Sequence, residues 1–264
     1  MKKNAAIHLI LLPGLDGTGD LFAPLLKRIA AMQVAADEPE FIAHALHYPT
    51  DQQLGFQALH EMVEYYLATQ LPADARYVLL GESFSGPVAV AVAHAAQTAL
   101  ENHAPDTRRC IGLILCCTFV RNPFPVFAPL GPLWSLAPLE LVPMSWVNRL
   151  AQGKLDFWSD QGELAMRQLA PDVLRYRLKI ISKVDVTREL AALRLPILYL
   201  QASKDLIVPA SAARLVQDLA PQTALVRVAG SHFLLQSKPA VALGHMQQFI
   251  AQNVVDDCGY FFAA

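Results

Sequence analysis

Short unbroken apolar runs alternate along this chain with stretches whose apolar residues recur every three or four positions. The first pattern predicts strands buried on both faces, the second helices with one inward face. Ile7 to Leu12 reads as the first strand and Asp20 to Met32 as an amphipathic helix, with Leu21, Phe22, Leu25, Leu26 and Ile29 inward. Phe41 to His47 reads as a second strand. A helix capped by Thr50 or Asp51 reaches about Gln70, carrying Leu59, Met62, Val63, Tyr66 and Leu67 at helical spacing. Tyr77 to Leu80 is a third strand, followed by a buried helix over Pro87 to Ala93. Ile111 to Cys117, Pro196 to Gln201 and Ala224 to Val228 are strands four to six, and a final helix runs from about Pro239 to Asn253. Strands alternating with helices predict an α/β fold: an open, mostly parallel sheet of about six strands with helices on both faces.

The alternation breaks between Phe119 and Asp185. No strand pattern occurs there, six prolines fall between Pro123 and Pro143, and Trp134, Trp146 and Trp158 all lie in it. Helices are expected over Ser145–Gln152, Gln161–Leu169 and Asp172–Ser182. The segment reads as a helical cap inserted at 119–185 into a core formed by 1–118 and 186–264.

Between strand three and its helix lies Gly81-Glu82-Ser83-Phe84-Ser85-Gly86. A strand, a tight turn and a helix around one serine make a nucleophile elbow, which holds the serine in a strained conformation with its hydroxyl outward. Small residues two before and two after relieve the crowding, here Gly81 and Ser85. Ser83 fits the centre better than Ser85, whose own flanks would be Ser83 and Pro87. Ser85 is assigned to packing at the elbow.

A serine hydroxyl needs a general base, and the base an orienting carboxylate. In an open α/β sheet such groups gather beyond the carboxyl ends of strands. Asp205 follows strand five and His232 follows strand six, giving the chain order Ser83, Asp205, His232. Asp185 is a rival acid but does not follow a strand. His8, His44, His47, His60, His94, His103 and His245 fall within elements or surface connections. Acyl transfer also needs donors for a developing oxyanion. The N–H of Phe84, just after the serine, is one. The N–H of Leu15, in the loop Pro13-Gly14-Leu15-Asp16-Gly17 after strand one, is the other. That loop lacks the Lys-Ser/Thr of a phosphate-binding loop and the spacing of a dinucleotide fingerprint. Asp16 either stabilises the turn or touches substrate.

These residues resemble the α/β-hydrolase superfamily over essentially the whole chain. More narrowly, Leu12-Pro13-Gly14-Leu15-Asp16-Gly17-Thr18-Gly19 together with Gly81-Glu82-Ser83-Phe84-Ser85-Gly86 is similar to a group of small bacterial serine hydrolases and to the hydrolase-like part of plant phytyl ester synthases, which are acyltransferases. Pro13-Gly14 stands where the superfamily often has His-Gly. The first two strands of the usual fold are missing from the pattern. The resemblance implies a cap that covers Ser83 and shapes the acyl or alcohol pocket.

The expected function is hydrolysis of carboxylic esters with an apolar acyl or alcohol group, through an acyl-enzyme. An acyltransferase, a thioesterase or an amidase would use the same residues. A ligand receptor on this fold is the reading from outside enzymology. A dehalogenase or epoxide hydrolase is disfavoured, since those relatives carry Asp at the elbow.

Composition adjusts this picture little. Of 264 residues 54% are hydrophobic and 17% charged, which suits a large two-sided core. A net charge of −2 without a basic run gives no reason to expect nucleic acid. The four cysteines lack metal-ligand spacing and read as buried thiols of a cytoplasmic protein. Met1-Lys2-Lys3 before an apolar run superficially resembles a signal peptide, but the run is short, contains His8 and supplies the first core strand. No apolar run is long enough for a membrane span. The expected partner is a small-molecule ester, with no metal or organic cofactor. The oligomeric state and the role of the tail from Asp256 to Ala264 are not specified.

Overall fold

The structure is a computed structural model, and it describes residues 6–32, 40–103, 106, 108–123, 165 and 167–253. The six apolar runs are all strands: β1 (Ile7–Leu12), β2 (Phe41–Ala45), β3 (Arg76–Glu82), β4 (Arg109–Cys116), β5 (Ile197–Ala202) and β6 (Thr223–Val228). They form one parallel sheet in the order β2-β1-β3-β4-β5-β6. Eight α-helices occur among the described residues: α1 (Ala23–Ala30), α2 (Phe56–Gln70), α3 (Gly86–Glu101), α4 (Pro171–Ile181), α5 (Thr187–Ala192), α6 (Ala210–Leu219), α7 (Leu234–Ser237) and α8 (Pro239–Asn253).

The strands read as continuous apolar runs because both their faces are covered. Alternate side chains divide between two cores. Ile10, Leu12, Leu79, Leu113, Leu115, Ile197 and Tyr199 pack with α2, α3, α5 and α6 on one face. Leu9, Leu11, Val78, Leu80, Ile114, Leu198 and Leu200 pack with α1, α7 and α8 on the other. Burying one such Leu contributes about 1.5–3 kcal/mol, so a one-residue slip of β1, which exchanges its two faces, is strongly disfavoured.

The structure moves several expected boundaries. The helix expected from Asp20 starts as a 3-10 turn over Asp20–Phe22 and becomes α-helical only at Ala23. Pro24 has no N–H to give the carbonyl four residues back, so it can open the helix but not continue it. β2 ends at Ala45 rather than His47, and Tyr48 N–H instead bonds the Gly17 carbonyl at 2.7 Å. Neither Thr50 nor Asp51 caps α2, which starts at Phe56 after Gly55. The segment before it pairs elsewhere: Thr50 O accepts from Ala170 N at 2.9 Å and Pro49 O from Arg177 Nη2 at 2.9 Å. α5, α6 and α7 have no counterpart in the sequence reading. Of the helices expected in the insertion, Asp172–Ser182 corresponds to α4. Ser145–Gln152 and most of Gln161–Leu169 lie outside the described residues, as do the three tryptophans and the C-terminal tail.

Candidate active site

Parallel strands place all their carboxyl ends on one edge of the sheet. The chain runs outward from β1 to β2 and then returns to β3, so the topological switch point lies between β1 and β3, where such folds form their crevice. The loop after β1 and the turn after β3 face each other across it. A Cβ added to Gly14 would lie 3.9 Å from Ser83 Cβ, which measures how closely the two approach.

Ser83 opens a 3-10 turn, Ser83–Ser85, that leads directly into α3. Its φ is 49°, in the left-handed region that side chains rarely adopt. Gly81 shows what the sharp turn requires. A Cβ there would sit 2.8 Å from both the Ser85 carbonyl oxygen and Ala89 Cβ, so any larger residue collides with backbone. From the other side, Thr118 Oγ1 donates to the Ser83 carbonyl. Thr118 is itself fixed by Tyr199: Thr118 N–H donates to the Tyr199 hydroxyl at 3.1 Å, and that hydroxyl donates to the Thr118 carbonyl at 2.5 Å.

Asp205 and His232 reach Ser83 across the end of β4, which lies between them in the sheet. His232 Nδ1 is 2.8 Å from Asp205 Oδ2, and His232 Nε2 is 2.9 Å from Ser83 Oγ. A carboxylate only accepts, so Nδ1 carries the proton and Nε2 of the neutral ring is the acceptor for the serine hydroxyl. The Asp205 and His232 side chains are 6% and 7% exposed, so water competes little for this pair. The second Asp205 oxygen accepts from Ile207 N at 2.9 Å and Val208 N at 2.8 Å, fixing the carboxylate in its plane. The rival Asp185 is occupied elsewhere, bonding Thr187 N at 3.0 Å and Thr187 Oγ1 at 2.6 Å.

Around the loop after β1 four carbonyls are engaged. Ser85 Oγ donates to Pro13 O, Gly17 N–H to Gly14 O at 3.1 Å, Arg177 Nη1 to Leu15 O at 2.7 Å and Tyr48 N–H to Gly17 O. Leu15 N–H donates to no protein acceptor among the described residues. The Asp16 carboxylate closes the turn by accepting from Thr18 N at 2.9 Å and Thr18 Oγ1 at 2.7 Å. Ser85 does more than pack. Its hydroxyl also meets the Tyr48 hydroxyl at 2.9 Å, so it links elbow, β1 loop and the end of β2. Phe84 is fully buried with its ring stacked on Phe56 at 5.0 Å, and the N-terminal end of α3 places a positive partial charge by its backbone.

Three site-lining groups escape the sequence reading. Glu82, beside the serine, is buried, accepts from Gln236 Nε2 at 2.9 Å, and is pushed up to about 7 chiefly by that burial. Its position inside the elbow motif was the available signal. Tyr48 and Arg177 carry none, because each reaches the site from a different part of the chain. Cys117 Sγ and ligand atoms of Asp205 and His232 lie within 4.8 Å of one another. Asp205 and His232 are already bonded to each other, an arrangement suited to moving a proton.

No known protein-family profile matches the chain, and no curated protein matches it in sequence. Solved structures do match its shape. A lipase-esterase related protein from Clostridium acetobutylicum superposes with a TM-score of 0.69 at 16% identity, over 94% of this chain and 96% of that one. An esterase from a Rhodococcus species gives 0.68 at 18% identity, over 94% and 91%. A thioesterase of the prodiginine pathway in Streptomyces coelicolor gives 0.64 at 20%, over 93% and 86%. The chain has the α/β-hydrolase fold.

Proposed function

We propose that the protein is a serine hydrolase that cleaves carboxylic esters through an acyl-enzyme. The observation that carries this is the continuous line from Ser83 Oγ through the His232 ring to Asp205, with 2.9 and 2.8 Å steps, at the switch point of the sheet. Ser83 Oγ attacks the acyl carbon while His232 Nε2 takes its proton. Asp205 holds the ring in the required tautomer and stabilises the imidazolium. The negative oxygen of the tetrahedral intermediate is met by the N–H groups of Leu15 and Phe84. Preorganised donors of this kind supply about 3–4 kcal/mol each in well-studied cases. His232 then returns its proton to the leaving alcohol, and water, deprotonated by the same nitrogen, releases the acid. The composition of the segment 119–185, rich in Phe, Trp, Leu and Pro, favours an apolar acyl or alcohol group.

Hydrolysis of a p-nitrophenyl ester series, from short to long acyl, tests this with wild type and Ser83→Ala side by side. Turnover by the wild type that disappears in the variant is the expected result, with labelling of Ser83 by a fluorophosphonate. Equal activity in the Ser83→Ala protein overturns the assignment. Product analysis with added alcohols separates hydrolysis from acyl transfer, and thioester and amide substrates separate the remaining alternatives.

A further inference from the structure

Arg177 is the largest side chain that the described residues bury completely, at 2% exposure, and no acid among them lies within ion-pair distance of it, although the charge of the buried Asp16 carboxylate favours its charged form from farther off. A guanidinium removed from water with no carboxylate in direct contact is costly and calls for a compensating role. Its hydrogen bonds go to two backbone carbonyls from different segments: Leu15 O at 2.7 Å through Nη1 and Pro49 O at 2.9 Å through Nη2. Its Cζ also lies 5.8 Å from the Phe84 ring centroid and 6.0 Å from that of Tyr48. The one residue thus touches both segments assigned to oxyanion binding, the Leu15 loop and the Phe84 turn. Gly17 leaves it room, since a Cβ there would meet Nη1 at 2.4 Å. α4, which carries Arg177, is itself moored to the loop before α2. Gln53 Nε2 donates to Asp172 Oδ2 at 3.0 Å, and Val173 is fully buried.

From this arrangement we propose that Arg177 is a positioning residue for oxyanion stabilisation, its two-pronged fork holding the Leu15 loop so that the Leu15 N–H is preset toward the developing charge on the acyl oxygen. The proposal rests on the serine-hydrolase reading. The Leu15 N–H shares its peptide plane with the Gly14 carbonyl, which Gly17 N–H holds at 3.1 Å, and Arg177 holds the next plane through Leu15 O; with both planes tied, the backbone at Leu15 is fixed on either side of its Cα, and the donor's direction with it. Arg177 touches no reacting atom. Misplacing a preorganised group by about 1 Å costs about 100-fold in rate, and a loop still held by Ser85 and Tyr48 loses less than a donor removed outright. The fork matters beyond the charge, because Leu15 O and Pro49 O are held by separate nitrogens, which a single ammonium does not span in the same way.

The test compares wild type, Arg177→Met and Arg177→Lys, each checked for folding by circular dichroism. Three quantities are measured: kcat and KM for a p-nitrophenyl ester, the second-order rate of Ser83 labelling by a fluorophosphonate, and the inhibition constant of a trifluoromethyl ketone, whose adduct with Ser83 bears an oxyanion. Arg177→Met is expected to lower kcat about 10- to 100-fold with KM changed less than about threefold. Labelling slows and the ketone weakens in step. Arg177→Lys is expected to fall between the two, at least about fivefold below wild type. Folded Arg177→Met with kcat and ketone binding within about twofold of wild type overturns the proposal, as does a loss wholly in KM. If Arg177→Met does not fold, wild-type kcat and ketone binding in Arg177→Lys overturn it instead. Failure of the hydrolase reading looks different: wild type itself then neither turns over an ester nor labels at Ser83, and the proposal falls with it.

Discussion

Ser83 occupies backbone space that glycine would occupy more easily, and this sets up a measurable conflict between stability and activity. At φ 49° a residue with a Cβ is strained by roughly 1–2 kcal/mol relative to glycine. Ser83→Ala and Ser83→Gly both remove the hydroxyl and its 2.9 Å contact with His232, so their difference isolates the backbone. Glycine gives back about 0.4–1 kcal/mol through the greater freedom of its unfolded chain. The net expectation is that Ser83→Gly is more stable than Ser83→Ala by about 0.5–1 kcal/mol, or about 2 °C in Tm. Urea denaturation of the two inactive variants, compared by midpoint with a common slope, reads this directly. The same exchange at Ala91, inside α3, supplies the opposite sign: Ala91→Gly costs about 1 kcal/mol, because helical φ and ψ carry no such strain. A Ser83→Gly protein no more stable than Ser83→Ala would refute the argument that the elbow holds its serine against a backbone preference.

Asp205→Asn is expected to lower kcat by about 10⁴, because an amide donating to Nδ1 selects the tautomer in which Nε2 carries the proton and cannot accept from Ser83; steady-state kinetics on the best ester checks it. Glu82→Gln probes linkage. Burial raises the Glu82 carboxyl from 4.5 to about 7, so between those values the folded state keeps a proton that the unfolded state has released, and stability falls as pH rises. The variant should therefore be more stable than wild type above pH 7, by up to about 3 kcal/mol, with the gain shrinking toward pH 4.5; urea midpoints across that range show the trend or its absence. Tyr199→Phe leaves the buried Thr118 N–H and carbonyl without the hydroxyl that serves both, at a cost of about 1–3 kcal/mol in denaturation free energy.

The sheet was legible because strands buried on both faces have to be apolar throughout. β1 and β3 appear as Ile-His-Leu-Ile-Leu-Leu and Arg-Tyr-Val-Leu-Leu-Gly-Glu, and no helical periodicity competes with them. Ser83, Asp205 and His232 were legible because a parallel sheet puts every strand's exit on one edge, so chemistry-bearing residues could be sought at six defined places. What escaped was set by contacts between segments far apart in the chain. The start of α2 moved to Phe56 because Pro49 and Thr50 give their carbonyls to Arg177 and Ala170, which lie more than a hundred residues on, in the 119–185 segment. Periodicity reports a residue's neighbours along one element, and nothing in Arg175-Tyr176-Arg177-Leu178-Lys179 distinguishes the one basic residue that turns inward.

Ser85 shows how a departure from a motif carries information. Glycine is usual two residues after the nucleophile because the turn is crowded, and a hydroxymethyl group there must find both room and a partner. It finds Pro13 O and the Tyr48 hydroxyl, with no exposure to water. Burial drives the Tyr48 phenol well above its usual range, so it remains a neutral donor at any pH the protein meets. Ser85 Oγ–H is committed to the Pro13 carbonyl, which leaves Tyr48 O–H to donate into Ser85 Oγ. The proton directions along this chain are therefore determined, and they run from β2's exit to β1's exit through the elbow. Those segments leave three adjacent strands of the sheet, β2, β1 and β3. A fixed hydroxyl chain across three strand ends holds the loop of Leu15 against the turn of Ser83 and Phe84 without using any group that the proposed acyl transfer needs.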